Sequence, residues 1–211
     1  MSDRHAVLKQ LGISATNPGA ATGREFIETH GAELRRRIGA SPDERLDLDA
    51  MMREFQVDLC KLTDIMNVQP EAIAHLQSIS PRRWSGGGQA LPNGRLLVIL
   101  HPFQTHERAN ITLMEEICHH YFGHEPTRIG PNELGLLERE YHKQQEEQAY
   151  WTGAAALLPS RTLAQGVYRR ELDEAIAARF DVSTELVHFR IKTWNLWDEY
   201  TAYDTSKRGV N

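Results

Sequence analysis

The chain has 211 residues, of which 40% are hydrophobic and 25% are charged, the usual balance for a globular protein. This length suits one compact domain, or one domain with a small appendage. The formal net charge of -5 gives no overall preference for nucleic acid or an anionic membrane surface. The sequence contains no apolar run long enough to cross a membrane. Its start, MSDRHAVLKQ, is polar and lacks the apolar core of a signal peptide, so we expect none there. Its two cysteines indicate neither a disulfide framework nor a C-x-x-C site, so we expect a cytoplasmic protein.

The elements predicted for the first third of the chain are mainly helical. Residues 1–22 are rich in Gly, Ala, Thr and Ser and are expected to form a loose arm. The stretch GREFIETHGAELRRRIG predicts an amphipathic helix that ends at the Gly39-Ala-Ser-Pro42 turn signal. A second helical spacing of apolar residues follows in DERLDLDAMMREFQVDL, and VDLCKLTD predicts a short strand or a loop.

The rest of the chain combines a small strand region with further helices. SPRRWSGGGQALPNGR is rich in turn residues, with a hairpin signal at 92–94, and LLVILH reads as a buried strand. A helix is predicted from 110 to 123, and GPNELGLLEREYHKQQEEQAYWTGAAALL is predicted to be mostly helical up to Pro159. Two last helices are predicted at about 160–179 and 184–196. We therefore predict an α+β fold that is mostly helical with a small sheet.

The helix containing TLMEEICHHYFGH holds the acids and histidines that are the main candidates for a functional site. One broad arc of its helical wheel is apolar and is filled by Ile111, Leu113, Met114, Ile117, Cys118, Tyr121 and Phe122. Cys118 is therefore expected to be a buried structural thiol rather than a nucleophile. Glu115 and His119 lie one turn apart on the polar side, with Glu116 on the adjoining strip. Acids and imidazoles beside a buried face need a compensating partner, and a cation is one.

The spacing of this helix is that of H-E-x-x-H metal-binding helices, with one ligand changed. In such helices the two histidines bind zinc, and the glutamate between them takes a proton from the metal-bound water. His119 and Glu116 match the second ligand and the base, whereas Glu115 stands where the first histidine would be.

RANITLMEEICHHYFGH resembles the segment R-x-x-x-T-L-x-H-E-L-x-H-x-x-x-G-H of the ImmA/IrrE family of bacterial metallopeptidases. The resemblance extends over roughly residues 45 to 196. RLLVILHP resembles the central strand of the family, and EEQAYWTGAAALLP resembles its E-x-x-A-x-x-F-A-x-x-L-L-x-P block. The resemblance implies a zincin-like core, with a third metal ligand at Glu146 and a general base at Glu116.

The resemblance implies a divalent ion held by Glu115, His119 and Glu146, with zinc as the family's metal. Because Glu115 adds an oxygen donor, manganese or iron(II) would be relatively better suited to this site than to a histidine-rich one. The implied function is that of a metal-dependent endopeptidase acting on a protein, commonly a helix-turn-helix repressor of stress or mobile-element genes. The alternative is a catalytically inactive scaffold that serves as a binding or regulatory module.

The tail segment FDVSTELVHFRIKTW has the look of a helix-turn-helix, with Ser183 as the N-cap of its second helix. Recognition of DNA bases needs basic and polar residues at the start of that helix. The residues there, TEL, suit this role poorly, although Arg190 and Lys192 follow. Packing against the core is therefore favoured, and direct nucleic-acid binding is not expected. The predicted units are an N-terminal arm with an accessory helix (1–44), a metallopeptidase-like core (45–160), a C-terminal helical pair (161–200) and a tail (201–211).

Other interpretations of the same residues stay open at this point. Thr112 and Glu115 also fit a capping box at the start of a helix. Glu116, His120 and His124 follow one another at intervals of four residues, so a shifted ligand set is possible. His124 by itself is expected to have a surface or capping role.

Overall fold

The computed structural model describes residues 21–64, 69–81, 83–124, 129–131, 137–139 and 142–208. The predicted arm lies outside these residues, except that residues 21 and 22 begin the first helix. The fold is α+β and mostly helical with a small sheet, as predicted. In chain order the described elements, besides a 3-10 turn at Leu62–Asp64, are α1 (Ala21–Arg37), α2 (Leu48–Glu54), β1 (Val57–Cys60), α3 (Pro70–Ser78), β2 (Gly86–Ala90), β3 (Leu96–Leu100), α4 (His106–Phe122), β4 (Ile129–Pro131), β5 (Leu137–Arg139), α5 (Lys143–Leu157), α6 (Ser160–Tyr168), α7 (Asp173–Phe180), α8 (Thr184–Thr193) and α9 (Trp197–Arg208).

Strands β1, β2 and β3 form a three-stranded sheet with the order β1-β3-β2. Strand β3 runs parallel to β1, with Val57 opposite Leu96, and antiparallel to β2, with Gly86 opposite Leu100. The hairpin signal is confirmed, since Gly94 takes a φ of +85 in the β2–β3 turn. The glycine-rich strand β2 was not predicted, because glycine has a low intrinsic strand propensity and only the pairing with β3 orders it.

Helix α4 begins at His106, four residues before the predicted start at Asn110. Its N-cap is Thr105, whose side chain accepts a hydrogen bond from the Arg108 N–H at 3.3 Å. Thr112 lies inside the helix and donates its hydroxyl to the Arg108 carbonyl at 3.0 Å. The capping-box interpretation of the TLME sequence is therefore wrong, because Glu115 lies well inside the helix.

The apolar face of α4 is buried, as the wheel predicts. Met114, Ile117 and Cys118 are fully buried in the main hydrophobic cluster. Burying side chains of this size contributes about 1.5–3 kcal/mol each. Burial also raises the pKa of the Cys118 thiol well above its usual value, which keeps the thiol protonated. The expectation of a buried thiol at this position is confirmed.

Two predictions for the second half of the chain are corrected by the structure. The segment GPNELGLLERE is not helical in its described parts, where β4 and β5 pair antiparallel. The helix predicted at 160–179 is two helices, α6 and α7, because Arg170 adopts a left-handed backbone (φ +61) between them. Helix α9 was also not predicted.

Glu28 ties α1 to the C-terminal helices. Its carboxylate accepts hydrogen bonds from the Arg190 guanidinium, from Trp194 Nε1 at 2.9 Å and from the Ser160 N–H at 3.1 Å. Arg190 is 2% exposed and also donates to the Leu158 carbonyl at 3.1 Å. Arg190, which the sequence offered as a candidate for contacting DNA, is therefore an internal ion-pair partner.

The tail helices pack within the fold. Ser183 is the N-cap of α8, as predicted, and accepts from the Leu186 N–H at 3.2 Å. The Lys192 ammonium lies 4.7 Å from the ring centre of Trp197 on α9. Buried side chains from α1, α2, β3 and α4 to α8 belong to one contiguous core. The division of the chain into four units stays a prediction. Within the described ranges, no helix has the length and apolar character needed to cross a membrane.

Candidate metal centre

Helices α4 and α5 bring Glu115, His119 and Glu146 together. One ligand atom from each residue lies within 4.8 Å of the other two. His119 Nε2 is 3.9 Å from Glu146 Oε2, and these two side chains are 21% and 19% exposed. The group is thus partly buried and still reachable from solvent.

Close packing of the two helices produces this arrangement. A Cβ added at Gly153 would lie 3.2 Å from the Met114 carbonyl carbon and 3.3 Å from the Glu115 N atom. Ala149, one turn earlier on α5, is fully buried as well. Because α5 carries small residues where it crosses α4, Glu146 in its first turn reaches the level of His119.

Glu116 points to a different neighbour, strand β2. A Cβ added at Gly88 would lie 2.7 Å from Glu116 Oε2, so the carboxylate lies directly against the strand backbone. His120 lines a separate cavity of about 300 Å³ together with Arg37 and Glu54. Within the described ranges Glu116 and His120 do not join the cluster of candidate ligands, so the shifted ligand set is not assembled.

His124 has a more specific environment than the sequence suggested. Its backbone N–H does cap the helix, donating to the His119 carbonyl at 2.9 Å, as expected. Its ring was not expected to contact the site, yet the Nδ1 atoms of His124 and His119 are 3.0 Å apart. His124 Nε2 is also 2.8 Å from Gln148 Oε1 on α5. Gln148 was not predicted from the sequence. The one feature of the sequence that could have indicated Gln148 is its position two residues after Glu146.

A family model described as "IrrE N-terminal-like domain" (Peptidase_M78) matches residues 67–192, which is more than half of the chain. The chain belongs to this IrrE-like peptidase family. The resemblance found in the sequence is confirmed, and the matched range includes Glu115, Glu116, His119 and Glu146. No curated protein matches the chain significantly, and neither does any solved structure.

The IrrE-like family implies a divalent metal, and the residues of this chain fit one. Two carboxylates within 4.8 Å of each other in a partly buried site repel, and a divalent cation removes that repulsion. An imidazole beside them completes a three-donor set of the kind found in catalytic metal sites. The difference from the usual pattern is chemical rather than geometric, because Glu115 supplies a charged oxygen in place of a neutral nitrogen.

The charge of Glu115 affects neighbouring groups in this IrrE-like site. Burial raises the pKa of the Tyr150 phenol, and the Glu115 charge raises it further. Burial and then Glu115 act in the same direction on the pKa of the Cys118 thiol. Tyr150 lies one turn after Glu146 on α5, a spacing that could have singled it out in the sequence. The Glu115 charge thus acts on both of these neighbouring side chains in the same direction as burial.

Proposed function

We propose that this protein is a metal-dependent endopeptidase that acts on a protein substrate. Glu115, His119 and Glu146 would hold a divalent ion, and Glu116 would be the general base. The observation that carries the proposal is the convergence of these three ligand atoms within 4.8 Å, from two helices, in a chain of the IrrE-like family. Zinc is the ion that the resemblance implies, and manganese or iron(II) are the alternatives that Glu115 favours.

The proposed chemistry divides between the ion and Glu116. When bound, the ion supplies Lewis acidity toward a water and toward the scissile carbonyl. Glu116 accepts a proton from the attacking water and delivers it to the leaving amine nitrogen, the usual work of a general acid–base residue. The backbone at Gly88 limits where the Glu116 carboxylate can lie.

Strand β2 supports a polypeptide as the substrate. It is an edge strand, and within the described ranges only β3 pairs with it. Its residues Gly86 to Gly88 carry no side chains, so the backbone groups of an extended peptide can approach closely. A strand added here would lie next to the strand that contacts Glu116. We propose a helix-turn-helix repressor as the protein that supplies this segment, following the family resemblance.

Elemental analysis of the purified protein tests the metal site. We expect close to one divalent ion per chain in the wild type and loss of that ion in a His119→Ala/Glu146→Ala double variant. A His75→Ala variant is the matched control, because His75 is an exposed residue of α3, outside the candidate ligand cluster. Absence of metal after incubation with zinc, manganese and iron(II) would refute the proposal.

Glu116→Gln tests the catalytic step separately from metal binding. We expect the variant to keep its metal while cleavage falls by about 10²–10⁴-fold, the usual contribution of a general base. Cleavage is measured by labelling the new protein N-termini that form when the purified protein is added to a lysate of its source cells. Equal sets of new N-termini from wild type and variant would show that Glu116 is not the base.

Glu115 favours a second candidate function, a binding module that recognises its partner without cutting it. Two anionic ligands reduce the Lewis acidity of an ion, so this site is a weaker catalyst than one with two histidines. A scaffold of this kind would bind its partner equally well with a chelator present and in the Glu116→Gln variant. It would also yield no cleavage product, which separates it from the endopeptidase.

A further inference from the structure

The C-terminus of α4 turns His124 back onto His119. Gly123 has a left-handed backbone (φ 56, ψ 47), and its N–H donates to the His120 carbonyl at 3.0 Å. The His124 N–H donates to the His119 carbonyl at 2.9 Å. These two bonds form a Schellman motif, in which the side chain after the glycine meets the side chain five residues earlier. That contact is usually apolar, and here it joins two imidazoles.

The contact continues from the imidazoles to α5. His124 Nδ1 lies 3.0 Å from His119 Nδ1, and His124 Nε2 lies 2.8 Å from Gln148 Oε1. The two imidazole rings are nearly perpendicular, at 77°. The ring of Phe122 stacks on His124 with 5.4 Å between centroids. His124 is therefore held by α4 and by the helix that supplies Glu146.

The direction of these hydrogen bonds follows from the chemistry of the Gln148 side chain, at the end of the chain of bonds. The side-chain carbonyl oxygen of Gln148 can only accept, so Nε2 of His124 is the donor. A neutral His124 then accepts at Nδ1, and His119 donates its Nδ1–H. This leaves a lone pair on Nε2 of His119, the atom that lies 3.9 Å from Glu146 Oε2. The chain of bonds thus selects the tautomer of His119 that can bind a metal through Nε2.

We propose that His124 and Gln148 are positioning residues for the metal site. They hold the ring of His119 and keep Nε2 as its metal donor. This inference rests on the proposed function, because it requires His119 to be a ligand. A hydrogen-bond partner of this kind fixes the orientation of a metal-binding histidine, and losing it lowers metal affinity about 10- to 100-fold.

The test is the affinity of the full-length protein for Zn²⁺ and Mn²⁺, measured by competition with a chromophoric chelator. His124→Leu removes the acceptor for His119, whereas His124→Asn places an amide oxygen near the position of Nδ1. Gln148→Leu removes the hydrogen bond between Gln148 and His124 Nε2. His75→Leu is the matched control at an exposed histidine. Long-range proton–nitrogen NMR of the metal-free proteins reads the tautomer of His119 directly and requires no substrate.

We expect affinity to fall about 10- to 100-fold in His124→Leu and on the order of 10-fold in Gln148→Leu. His124→Asn should restore most of the loss, and the Nδ1–H tautomer should dominate in wild type but not in His124→Leu. Wild-type affinity in both leucine variants would overturn this inference while leaving the proposed metal site intact. If the wild type binds neither of these ions and takes up no iron(II) either, or if His119→Ala binds as well as wild type, both proposals fail together. Should His124→Leu not fold, the Gln148→Leu and His124→Asn results decide.

Discussion

Glu115 is the residue that separates this protein from the histidine-rich sites it resembles. A carboxylate and an imidazole at the same position differ in charge and in hardness, and therefore in the ion they prefer. A ligand atom of Glu115 lies within 4.8 Å of ligand atoms of His119 and Glu146, so the three candidate donors lie together. We therefore expect the metal preference of the proposed site to depend on this one residue.

Replacing Glu115 by histidine should shift that preference toward zinc. We expect the ratio of Zn²⁺ to Mn²⁺ affinity to rise by about tenfold or more in Glu115→His, because a nitrogen donor replaces an oxygen donor. Chelator competition with each ion measures the ratio. A Glu147→His variant is the control, since Glu147 lies on α5 next to Glu146 but outside the ligand cluster. An unchanged ratio in Glu115→His would mean that Glu115 does not bind the ion.

His30 makes stability depend on pH. Burial lowers its pKa below the ordinary value of 6.5, with Glu33 acting weakly in the opposite direction. Its Nδ1 is hydrogen-bonded to the Tyr121 hydroxyl at 2.8 Å, and its Nε2 is buried with no hydrogen-bond partner in the described residues. The unfolded chain therefore binds a proton at higher pH than the folded chain, so stability falls as pH drops through about 6.5.

A non-titrating residue at position 30 should remove part of this dependence. Between pH 7.5 and 5.5 we expect Tm to fall less in His30→Gln than in wild type, because the variant has no titratable side chain at position 30. Thermal unfolding followed by circular dichroism at each pH gives the two slopes. His75→Gln, at an exposed position, should keep the wild-type slope. Equal slopes of Tm against pH in wild type and His30→Gln would show that His30 does not cause the pH dependence.

At the scale of elements, strand β2 limits where the carboxylate of Glu116, the proposed general base, can lie. The strand consists of GGGQA and approaches α4 so closely that an added Cβ at Gly88 meets Glu116, and one at Gly86 meets Thr112 at 2.8 Å. Side chains at these positions would push the strand and the helix apart or displace Glu116. The glycines therefore permit the approach between the strand and the helix.

Gly88→Ala should separate catalysis from metal binding. The new methyl group displaces the mobile end of Glu116, so we expect metal content and Tm to stay near wild type. Cleavage should fall on the order of 100-fold, the effect of misplacing a catalytic group by about 1 Å. Gly87→Ala is the control in the same strand, because an added Cβ there has no atom within 4 Å among the described residues. Equal cleavage by the two variants would show that Gly88 does not determine the position of the Glu116 carboxylate.

At the scale of the whole molecule, the ion pair between Glu28 and Arg190 joins α1 to the C-terminal helices. Arg190 is 2% exposed, so its charge depends on Glu28 for compensation. Burial lowers the pKa of Arg190, and the Glu28 charge opposes that effect. Removing the carboxylate would leave a buried cation without its partner, which is far more costly than losing a surface pair.

Glu28→Gln should destabilise the protein by about 3 kcal/mol, the lower end of the range for breaking a buried ion pair. Urea unfolding monitored by tryptophan fluorescence measures the loss, and Trp194 reports locally because it bonds to Glu28. The matched control is Glu25→Gln on the exposed side of α1, for which we expect a change within about 0.5 kcal/mol. A loss below about 1 kcal/mol in Glu28→Gln would show that the pair behaves like a surface pair.

Local patterns in the sequence determined the helix of Glu115 and His119, the Ser183 cap and the turn at Gly94. These features depend on hydrogen bonds and side-chain spacings within about ten residues, so the order of residues is sufficient to predict them. The resemblance to the ImmA/IrrE family added Glu146, which local spacing could not single out within KQQEEQ.

The tertiary structure alone decided which side chains meet at the site. It ordered GGGQA as a strand, because β3 pairs with it, and it placed Glu116 against Gly88. It brought Gln148 to His124 through the close packing of α5 on α4. Apart from the pairing of β2 with its neighbour β3, these contacts join residues more than twenty positions apart. They arise from small residues at a helix crossing and from strand pairing. Such contacts depend on how the elements pack together, which no local pattern records.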